Sequence, residues 1–406
     1  MQRTIGMIGA MDTKGAEFAF LKGEIERKGF RVRVFDTGVI GEPGLAPDIG
    51  RETIAEAGGA SLAELVAQGD RGKAMLAMAA GAAKVVPEAV HRGEIDGLIG
   101  MGGTAGTAVA SSAMRALPVG FPKLIVSTVA AGDTRGYIGT KDIVMMPAVV
   151  DVAGVNRISR QIFSRAAGAI CGMAEADAAG GRDKRLIAAS MFGNTTSCVE
   201  RARSRLEGED TEVLVFHCTG VGGQTLESLV EGGYISGVLD ITTTEWADEI
   251  AGGVFAAGRE RGDAAARRGI PQVIVPGCVD MVNFHARETV PERYADRNLY
   301  VWNSNITLMR TTAEENARIG AILAEKANAS VGPVAFLLPL GGVSLLDSPG
   351  QPFWDPAADR ACFDAIKRHV KSGIPVHEMD CNINDPAFAD RAAELLLAML
   401  SGRPQA

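Results

Sequence analysis

The sequence predicts an α/β protein with two domains, each built around a mainly parallel sheet. Three observations support this fold class. Short apolar runs alternate with helical stretches in both halves of the chain, a pattern typical of βαβ units. Gly-rich polar turns follow many of the apolar runs, which is where α/β folds place their ligand loops. The length of 406 residues suits two or three domains at roughly 100–200 residues each.

The first half contains five predicted strands, and a helix links the first two. That helix covers Ala16–Lys28, where Phe18, Leu21 and Ile25 share one face. A second helical segment, Val152–Ala176, follows the last strand. The predicted strands are Thr4–Gly9, Arg31–Asp36, Gly97–Gly100, Lys123–Ser127 and Asp142–Met146.

The second half follows a polar, Gly-rich segment, Asp177–Lys184, which we interpret as the linker. The predicted domains are therefore residues 1–180 and 181–406. The uncharged run Ala327–Leu346 is long enough to span a bilayer, but its prolines and glycines favour a buried strand and a turn. The predicted strands are Leu186–Met191, Glu212–His217, Gly237–Ile241, Gln272–Pro276, Leu299–Trp302, Val334–Pro339 and Pro375–Met379, and the predicted helices are Ala313–Asn328, Asp359–Ser372 and Pro386–Ser401.

The charge balance and the cysteines limit the classes of function. The net charge is −8 and the pI is about 5.4. An acidic surface repels phosphate backbones and anionic lipids, so we expect neither a nucleic acid nor a membrane as partner. The six cysteines form no C-x-x-C pair. We therefore expect neither a zinc-ribbon nor a thioredoxin motif. For a large acidic chain without a signal peptide, we expect a cytoplasmic protein with free thiols.

The first candidate ligand loop is Gly9–Gly15, between the first strand and its helix. Asp12 or Thr13 can cap that helix, and its remaining N–H groups suit a phosphate. Lys14 adds a positive charge at the same place. A capped turn with a solvated lysine remains an equally good interpretation of this motif alone.

The second candidate loop is Gly100–Thr107, which precedes a helix rich in small residues. It approximates the dinucleotide-binding pattern G-x-G-x-x-G/A, but the expected acid at the end of the next strand is absent. Tight packing of the helix on the sheet explains the glycines equally well. The residues of this loop that we expect at the ligand are Gly102, Gly103, Thr104, Gly106 and Thr107.

Two further turns are expected to contribute to ligand binding. Ser127 and Thr128 end a strand and begin the long polar loop Ser127–Asp142. Asn194 and Thr195 lie in a turn after the first strand of the second half, where we expect them to face a cleft between the domains.

The second half carries its own candidate loop and several acids. His217–Thr225 follows a strand, and Asp240 lies 20 residues after Gly220, which fits a dinucleotide-binding unit better than the first half does. The residues expected to form an acid–base constellation at the strand ends are Asp240, Glu245, Asp280 and His285. No local ligand spacing supports a resident metal. These residues can equally well cap strands, and that alternative stays open.

Several stretches together resemble a known family. It is the ATP-binding N-terminal region of the tomato protein that confers resistance to tomato mosaic virus, with its many bacterial relatives. The matching stretches are DTKG at 12–15, GGTAGT at 102–107, the long segment 127–162, MFGNTT at 191–196, HCTGVGGQTLE at 217–227, LDITTTEWADE at 239–249, PGCVDMVNF at 276–284 and TLMRTTAEEN at 307–316.

The resemblance implies two Rossmann-like domains, ATP bound in the first, and self-association as a homodimer. It implies no reaction. Three functions therefore compete: an ATP-binding protein or ATP-dependent enzyme whose unidentified small-molecule substrate lies in the cleft, an oxidoreductase using a dinucleotide at Gly220–Thr225, and a non-catalytic binding protein regulated by nucleotide. With ATP, we expect that Mg²⁺ arrives as its counterion.

Overall fold

A computed structural model describes residues 2–176, 183–208 and 210–402 of the chain. It divides into two compact units, Met1–Gly180 and Gly181–Ala406. Most of the predicted linker Asp177–Lys184, namely residues 177–182, lies outside the described residues.

The first unit is a five-stranded sheet in the order β2-β1-β3-β4-β5, and every pairing is parallel. The strand order reverses between β1 and β3, which makes their carboxyl ends the topological switch point of this sheet. The strands are β1 Thr4–Gly9, β2 Arg31–Asp36, β3 Gly97–Gly102, β4 Lys123–Ser127 and β5 Val144–Pro147. The helices are α1 Met11–Glu26, α2 Arg51–Ala57, α3 Leu62–Gln68, α4 Arg71–His91, α5 Thr104–Arg115, α6 Arg135–Ile138 and α7 Arg157–Glu175.

The central strands of this sheet are covered on both faces. Every residue of β1, β3 and β4 is buried, as expected for a parallel sheet between two layers of helices. Helices α1 and α7 pack against one face, and α4 and α5 pack against the other. Asn156 caps α7 through the N–H groups of Ile158 and Ser159, so this helix begins at Arg157.

The second unit is built on a six-stranded parallel sheet in the order β14-β13-β9-β8-β6-β7. The order reverses between β6 and β8, as it does between the first and third strands of the first unit. The parallel strands are β6 Arg185–Met191, β7 Thr211–His217, β8 Ile235–Thr242, β9 Gln272–Gly277, β13 Val334–Pro339 and β14 Val376–Met379. The helices are α8 Thr196–Leu206, α9 Val221–Glu231, α10 Glu245–Ala251, α11 Asp263–Arg268, α12 Ala313–Asn328, α13 Pro356–His369 and α14 Pro386–Leu400.

A three-stranded antiparallel sheet interrupts the second unit after β9. It contains β10 Met281–Phe284, β11 Leu299–Asn303 and β12 Ile306–Arg310, in the order β10-β12-β11. The assignment of Leu299–Trp302 to the parallel series was therefore wrong. Strands β11 and β12 form a hairpin through the short turn after Asn303. In this turn Oδ1 of Asn303 accepts the N–H of Asn305 at 2.8 Å.

The predicted fold class is confirmed, because both large sheets are parallel and are flanked by helices. The uncharged run Ala327–Leu346 contains strand β13 and a turn. Within the described ranges, no helix has the length and apolarity needed to cross a membrane.

Candidate functional site

A cavity of about 420 Å³ lies at the carboxyl edge of the first sheet, over the switch point between β1 and β3. Its volume falls within the range of roughly 300–1,000 Å³ that is typical of ligand sites. The turns after β1, β2 and β3 supply most of the wall. The lining residues are Ala10, Asp12, Thr13, Lys14, Thr37, Gly38, Val39, Ile40, Arg71, Met75, Gly102, Gly103, Thr104, Ala105, Gly106, Val109 and Asp151.

Two helix N-termini meet at this cavity. Helix α1 follows Ala10 and helix α5 follows Gly103, and neither of these preceding residues caps its helix with a side chain. In α1 the first N–H group, that of Met11, donates to Oδ1 of Asp36 at 2.9 Å. The N–H groups of a first helical turn have no partner within the helix, and the helix dipole places partial positive charge there. The cavity therefore offers an anion the N–H groups at the start of α5 and those of α1 that follow Met11.

Two cationic side chains line the cavity, together with the carboxylates of Asp12 and Asp151. Lys14 is half-buried and Arg71 is exposed, and both line the cavity. Neither side chain makes a hydrogen bond or ion pair with another described residue. Lys14 also departs from helical geometry, with φ −128° and ψ 18°, in the sparsely populated region where functional residues often lie.

Two carboxylates, those of half-buried Asp12 and fully buried Asp36, hold the loops around the cavity. Oδ2 of Asp12 accepts the N–H of Ile40 at 2.8 Å, and Oδ1 of Asp36 accepts the N–H groups of Met11 and Gly38 at 2.9 Å each. Burial raises the pKa of Asp36, although both main-chain donors act to lower it. A Cβ on Gly38 would lie 2.5 Å from the Asp12 carboxyl carbon, so glycine is required for this approach.

The other predicted residues of this unit lie next to the cavity and do not line it. Thr107 and Ser127 are buried and share a hydrogen bond of 2.6 Å between their hydroxyl oxygens, which joins α5 to the end of β4. Thr128 is exposed, and its N–H donates to Gly102 at 3.3 Å. These three residues therefore support the wall that Gly102–Gly106 forms.

The predicted pair Asn194 and Thr195 belongs to the second unit. Thr195 is fully buried and shares a hydrogen bond of 2.7 Å with the hydroxyl of Thr242. Asn194 lines a separate pocket of about 240 Å³ within the same unit. The structure therefore places these two residues in different environments, although they are adjacent in sequence.

The glycine loop Gly220–Thr225 of the second unit binds the side-chain carboxylate of Glu245. Oε1 of Glu245 accepts the N–H groups of Gly220 at 2.9 Å and Gly223 at 3.0 Å. A Cβ on Gly223 would lie 2.1 Å from Glu245 Oε2, which explains the glycine without a ligand. The position that a dinucleotide phosphate takes in such a loop is therefore filled by this carboxylate.

Arg261 joins two of the predicted catalytic residues in one buried ion-pair cluster. Its guanidinium contacts Asp240 at 2.6 and 2.9 Å and Glu245 at 2.8 Å, and it approaches Glu227 at 3.5 Å. Burial raises the pKa of Glu245, and Arg261 opposes that rise. The hydroxyl of Ser190 also donates to Asp240 at 2.6 Å. Both carboxylates are thus engaged in holding β8, α10 and the loop after α10 together.

Asp280 belongs to a second buried cluster. Its Oδ2 accepts the hydroxyl of Ser344 at 2.8 Å, while its Oδ1 has no partner among the described residues. Arg310 lies 2.7 Å from Asp359 and 3.6 Å from Asp347. Burial and the nearby Asp347 raise the pKa of Asp280 to about 7, and Arg310 opposes this rise. The guanidinium of Arg310 therefore faces three carboxyl groups, those of Asp280, Asp347 and Asp359.

The fourth predicted catalytic residue, His285, is exposed just after β10. The expected constellation of four residues is thus divided between the Arg261 cluster, the Arg310 cluster and the surface. Across residues 2–176, 183–208 and 210–402, no group of three or more His, Cys, Asp or Glu side chains is arranged to hold a metal ion.

Sequence reasoning missed the residues that determine the electrostatics of both units. Arg71 has no local signal, because it reaches the cavity from the start of α4, far along the chain from β1 and β3. Arg261 lies in a charged loop that resembles a solvated surface. Asp36 had a detectable signal, since a charged residue ends the buried half of β2.

Comparisons with known proteins match both halves of the chain to one family. The N-terminal domain model of the uncharacterised protein family UPF0261 matches residues 3–179, and the C-terminal domain model matches residues 184–400. A UPF0261 protein of Clostridium tetani is 48% identical over 402 residues, which cover 98% of this chain and 100% of that protein.

A plant protein and a solved structure also match. The ToMV resistance protein Tm-1(GCR237) of Solanum lycopersicum is 43% identical over 309 residues, which cover 74% of this chain and 41% of the tomato protein. A crystal structure of UDP-N-acetylglucosamine 2-epimerase is 9% identical with a TM-score of 0.26, covering 100% of this chain and 98% of that one. A score this low implies nothing about ligand or activity. On the two domain matches and the close bacterial relative, the chain belongs to the UPF0261 family.

Proposed function

We propose that the first unit binds ATP in the cavity over the β1/β3 switch point. The observation that carries this proposal is the convergence of two helix N-termini with the side chains of Lys14 and Arg71, which make no hydrogen bond or ion pair with another described residue. Asp36 uses only the first N–H group of α1. Main-chain N–H groups at the starts of α1 and α5 would donate hydrogen bonds to the phosphates. The apolar part of the wall, with Val39, Met75 and Val109, would contact the base and ribose.

The carboxylates of the cavity fit ATP that carries Mg²⁺. Asp12 and Asp151 both line the wall, and Oδ1 of Asp12 is buried without a hydrogen-bond partner among the described residues. Mg²⁺ usually keeps several waters and is held by one or two carboxylates together with the substrate phosphates. These two residues would hold the ion only when ATP brings the remaining ligands.

The alternative of a dinucleotide at Gly220–Thr225 has less support. The main-chain donors of Gly220 and Gly223 are used by Glu245, and Arg261 holds that carboxylate in place. A phosphate there would have to displace a buried ion pair, which is strongly unfavourable.

Calorimetric titration of ATP with Mg²⁺ tests the proposal, with NAD as the competing ligand. We expect one ATP per chain and no heat from NAD. Arg71→Ala should weaken ATP binding by about 1.4- to 5-fold, the range for an exposed ion pair. The matched control is Lys73→Ala, which removes an exposed cation from the same turn of α4 but not from the cavity wall. Absence of ATP binding, or equal loss in both variants, would refute the proposal.

A further inference from the structure

A second pocket, of about 240 Å³, lies wholly within the second unit. The turn after β6 and the end of β7 form one side, and the hairpin of β11 and β12 forms the other. The residues that matter for its chemistry are Phe192, Asn194, His217, Phe255, Trp302 and Asn303. Its lining residues all belong to the second unit.

Aromatic rings dominate this pocket. Phe192 lies 5.4 Å from the ring of His217 and 6.2 Å from the ring of Phe255, measured between centroids. Trp302 lines the same pocket and is 45% exposed, so much of its indole is open to solvent. Aromatic rings favour offset or edge contacts with other flat rings, and the pocket provides such surfaces on more than one side.

A buried side-chain amide in the pocket lacks a hydrogen-bond donor for its oxygen. Asn194 is 3% exposed, and its Oδ1 has no hydrogen-bond partner among the described residues. Its Nδ2 makes only a weak contact of 3.5 Å with the sulfur of Met281. A buried carbonyl oxygen without a donor is unfavourable, and an N–H group on a bound molecule would remove that cost.

A second amide lies at the outer side of the pocket. Oδ1 of Asn303 accepts the N–H of Asn305 at 2.8 Å, which leaves its Nδ2 available as a donor. Besides the His217 imidazole and the Thr219 hydroxyl, the pocket therefore presents one unpaired amide acceptor and one available amide donor between aromatic surfaces. No Lys, Arg, Asp or Glu is among its lining residues. The lining therefore holds no permanent cation that would neutralise a phosphate or carboxylate group, and His217 is its one ionisable side chain.

We infer that this pocket binds an uncharged heteroaromatic ring of the nucleobase class. The ring would stack against Trp302 and the phenylalanines. One of its N–H groups would donate a hydrogen bond to Oδ1 of Asn194, and one of its acceptor atoms would receive a hydrogen bond from Nδ2 of Asn303. Stacking on aromatic side chains is the common mode of nucleobase recognition, and paired donors and acceptors select the ring edge. This site is separate from the cavity of the first unit, so it does not depend on ATP binding there.

Saturation-transfer NMR with free adenine, hypoxanthine, cytosine and uracil tests the inference, with N-acetylglucosamine as the sugar comparison. At least one base should bind in the presence of saturating ATP, which keeps the first cavity filled. Trp302→Ala should weaken that base by about 5- to 150-fold, the range for losing one stacking partner. The matched control, Val301→Ala, changes the neighbouring exposed residue on β11, which does not line the pocket, and should leave binding unchanged.

A second variant examines the amide directly. Asn194→Leu replaces the unpaired carboxamide with an apolar group of similar size, so the chain should retain its melting temperature and lose base binding. Binding of the sugar alone, loss of base binding on adding ATP, or unchanged base affinity in Trp302→Ala would overturn the inference. ATP affinity should be the same in Trp302→Ala and the unmodified chain, which separates this site from the proposed ATP site.

Discussion

Replacing Lys14 with alanine is the most informative change at the proposed ATP site. Lys14 lines the cavity at the start of α1, and its ammonium has no hydrogen-bond or ion-pair partner among the described residues. Its removal therefore breaks no hydrogen bond or ion pair among the described residues and should leave the unfolding temperature almost unchanged. Any loss of ATP affinity then reports a contact with ATP rather than damage to the fold.

The expected size of the effect follows from the position of Lys14. A hydrogen bond to a charged group contributes about 1.5–3 kcal/mol when it is made in a protein site. Since about 1.4 kcal/mol corresponds to a factor of ten, the dissociation constant should rise by about 10- to 150-fold. Lys14 is only half-buried, so salt should reduce the effect, and the lower end of that range is expected near physiological ionic strength.

Calorimetry of ATP at two salt concentrations measures this effect. Lys22→Ala is the control, because Lys22 is a half-buried lysine on the same helix that pairs with Glu26 and does not line the cavity. Both variants change the net charge equally, so a difference between them isolates the local contact. Equal ATP affinity in Lys14→Ala and the unmodified chain would refute the assignment of Lys14 to the phosphates.

Three further predictions concern the second unit and the choice of nucleotide. Arg261→Met should lower the free energy of unfolding in urea by about 3–5 kcal/mol, because it leaves buried Asp240 and Glu245 without their cation; a loss below about 1 kcal/mol, typical of an exposed pair, would contradict this. The pKa values of Asp280 and Asp359 are raised to about 7 and about 8 by burial, whereas 3.8 is the ordinary value. The folded chain therefore holds protons that the unfolded chain releases, so stability should fall from pH 4 to pH 8, and Asp280→Asn should weaken that dependence; a stability that rises over this interval would contradict it. In a melting assay, ATP at about 100 times its dissociation constant should stabilise the chain by about 2.7 kcal/mol, whereas NAD should give no shift because Glu245 occupies the loop donors.

The parts of the fold that follow from local pattern could be predicted from the sequence. After Thr4, the strand Thr4–Gly9 is continuously apolar or glycine and the turn after it is polar, so both its bounds and its loop were predictable. The loops after β1 and β3 were predicted to form one site, because the carboxyl ends of parallel strands share one edge of the sheet. Residues of both loops line the cavity. Whether ATP binds there remains a prediction.

Contacts between distant segments could not be predicted in this way. Arg259 and Arg261 lie two residues apart in the same charged loop, yet the side chain of Arg259 is 93% exposed and that of Arg261 is 2% exposed. No local pattern distinguishes them, because the difference depends on where β8 and α10 place Asp240 and Glu245. The antiparallel sheet was missed for a related reason, since a short apolar run does not reveal the direction of its partner.

Hydrogen–deuterium exchange with and without saturating ATP and Mg²⁺ tests the central claim most directly. The main-chain N–H groups at the start of α5 have no side-chain cap and should exchange readily in the free protein. If phosphate oxygens accept hydrogen bonds from these N–H groups, amide exchange should slow in peptides covering 10–14 and 102–107. It should stay unchanged in peptides covering 219–225. Protection confined to 219–225, or no protection at either loop under saturating ATP, would contradict ATP binding at the first unit.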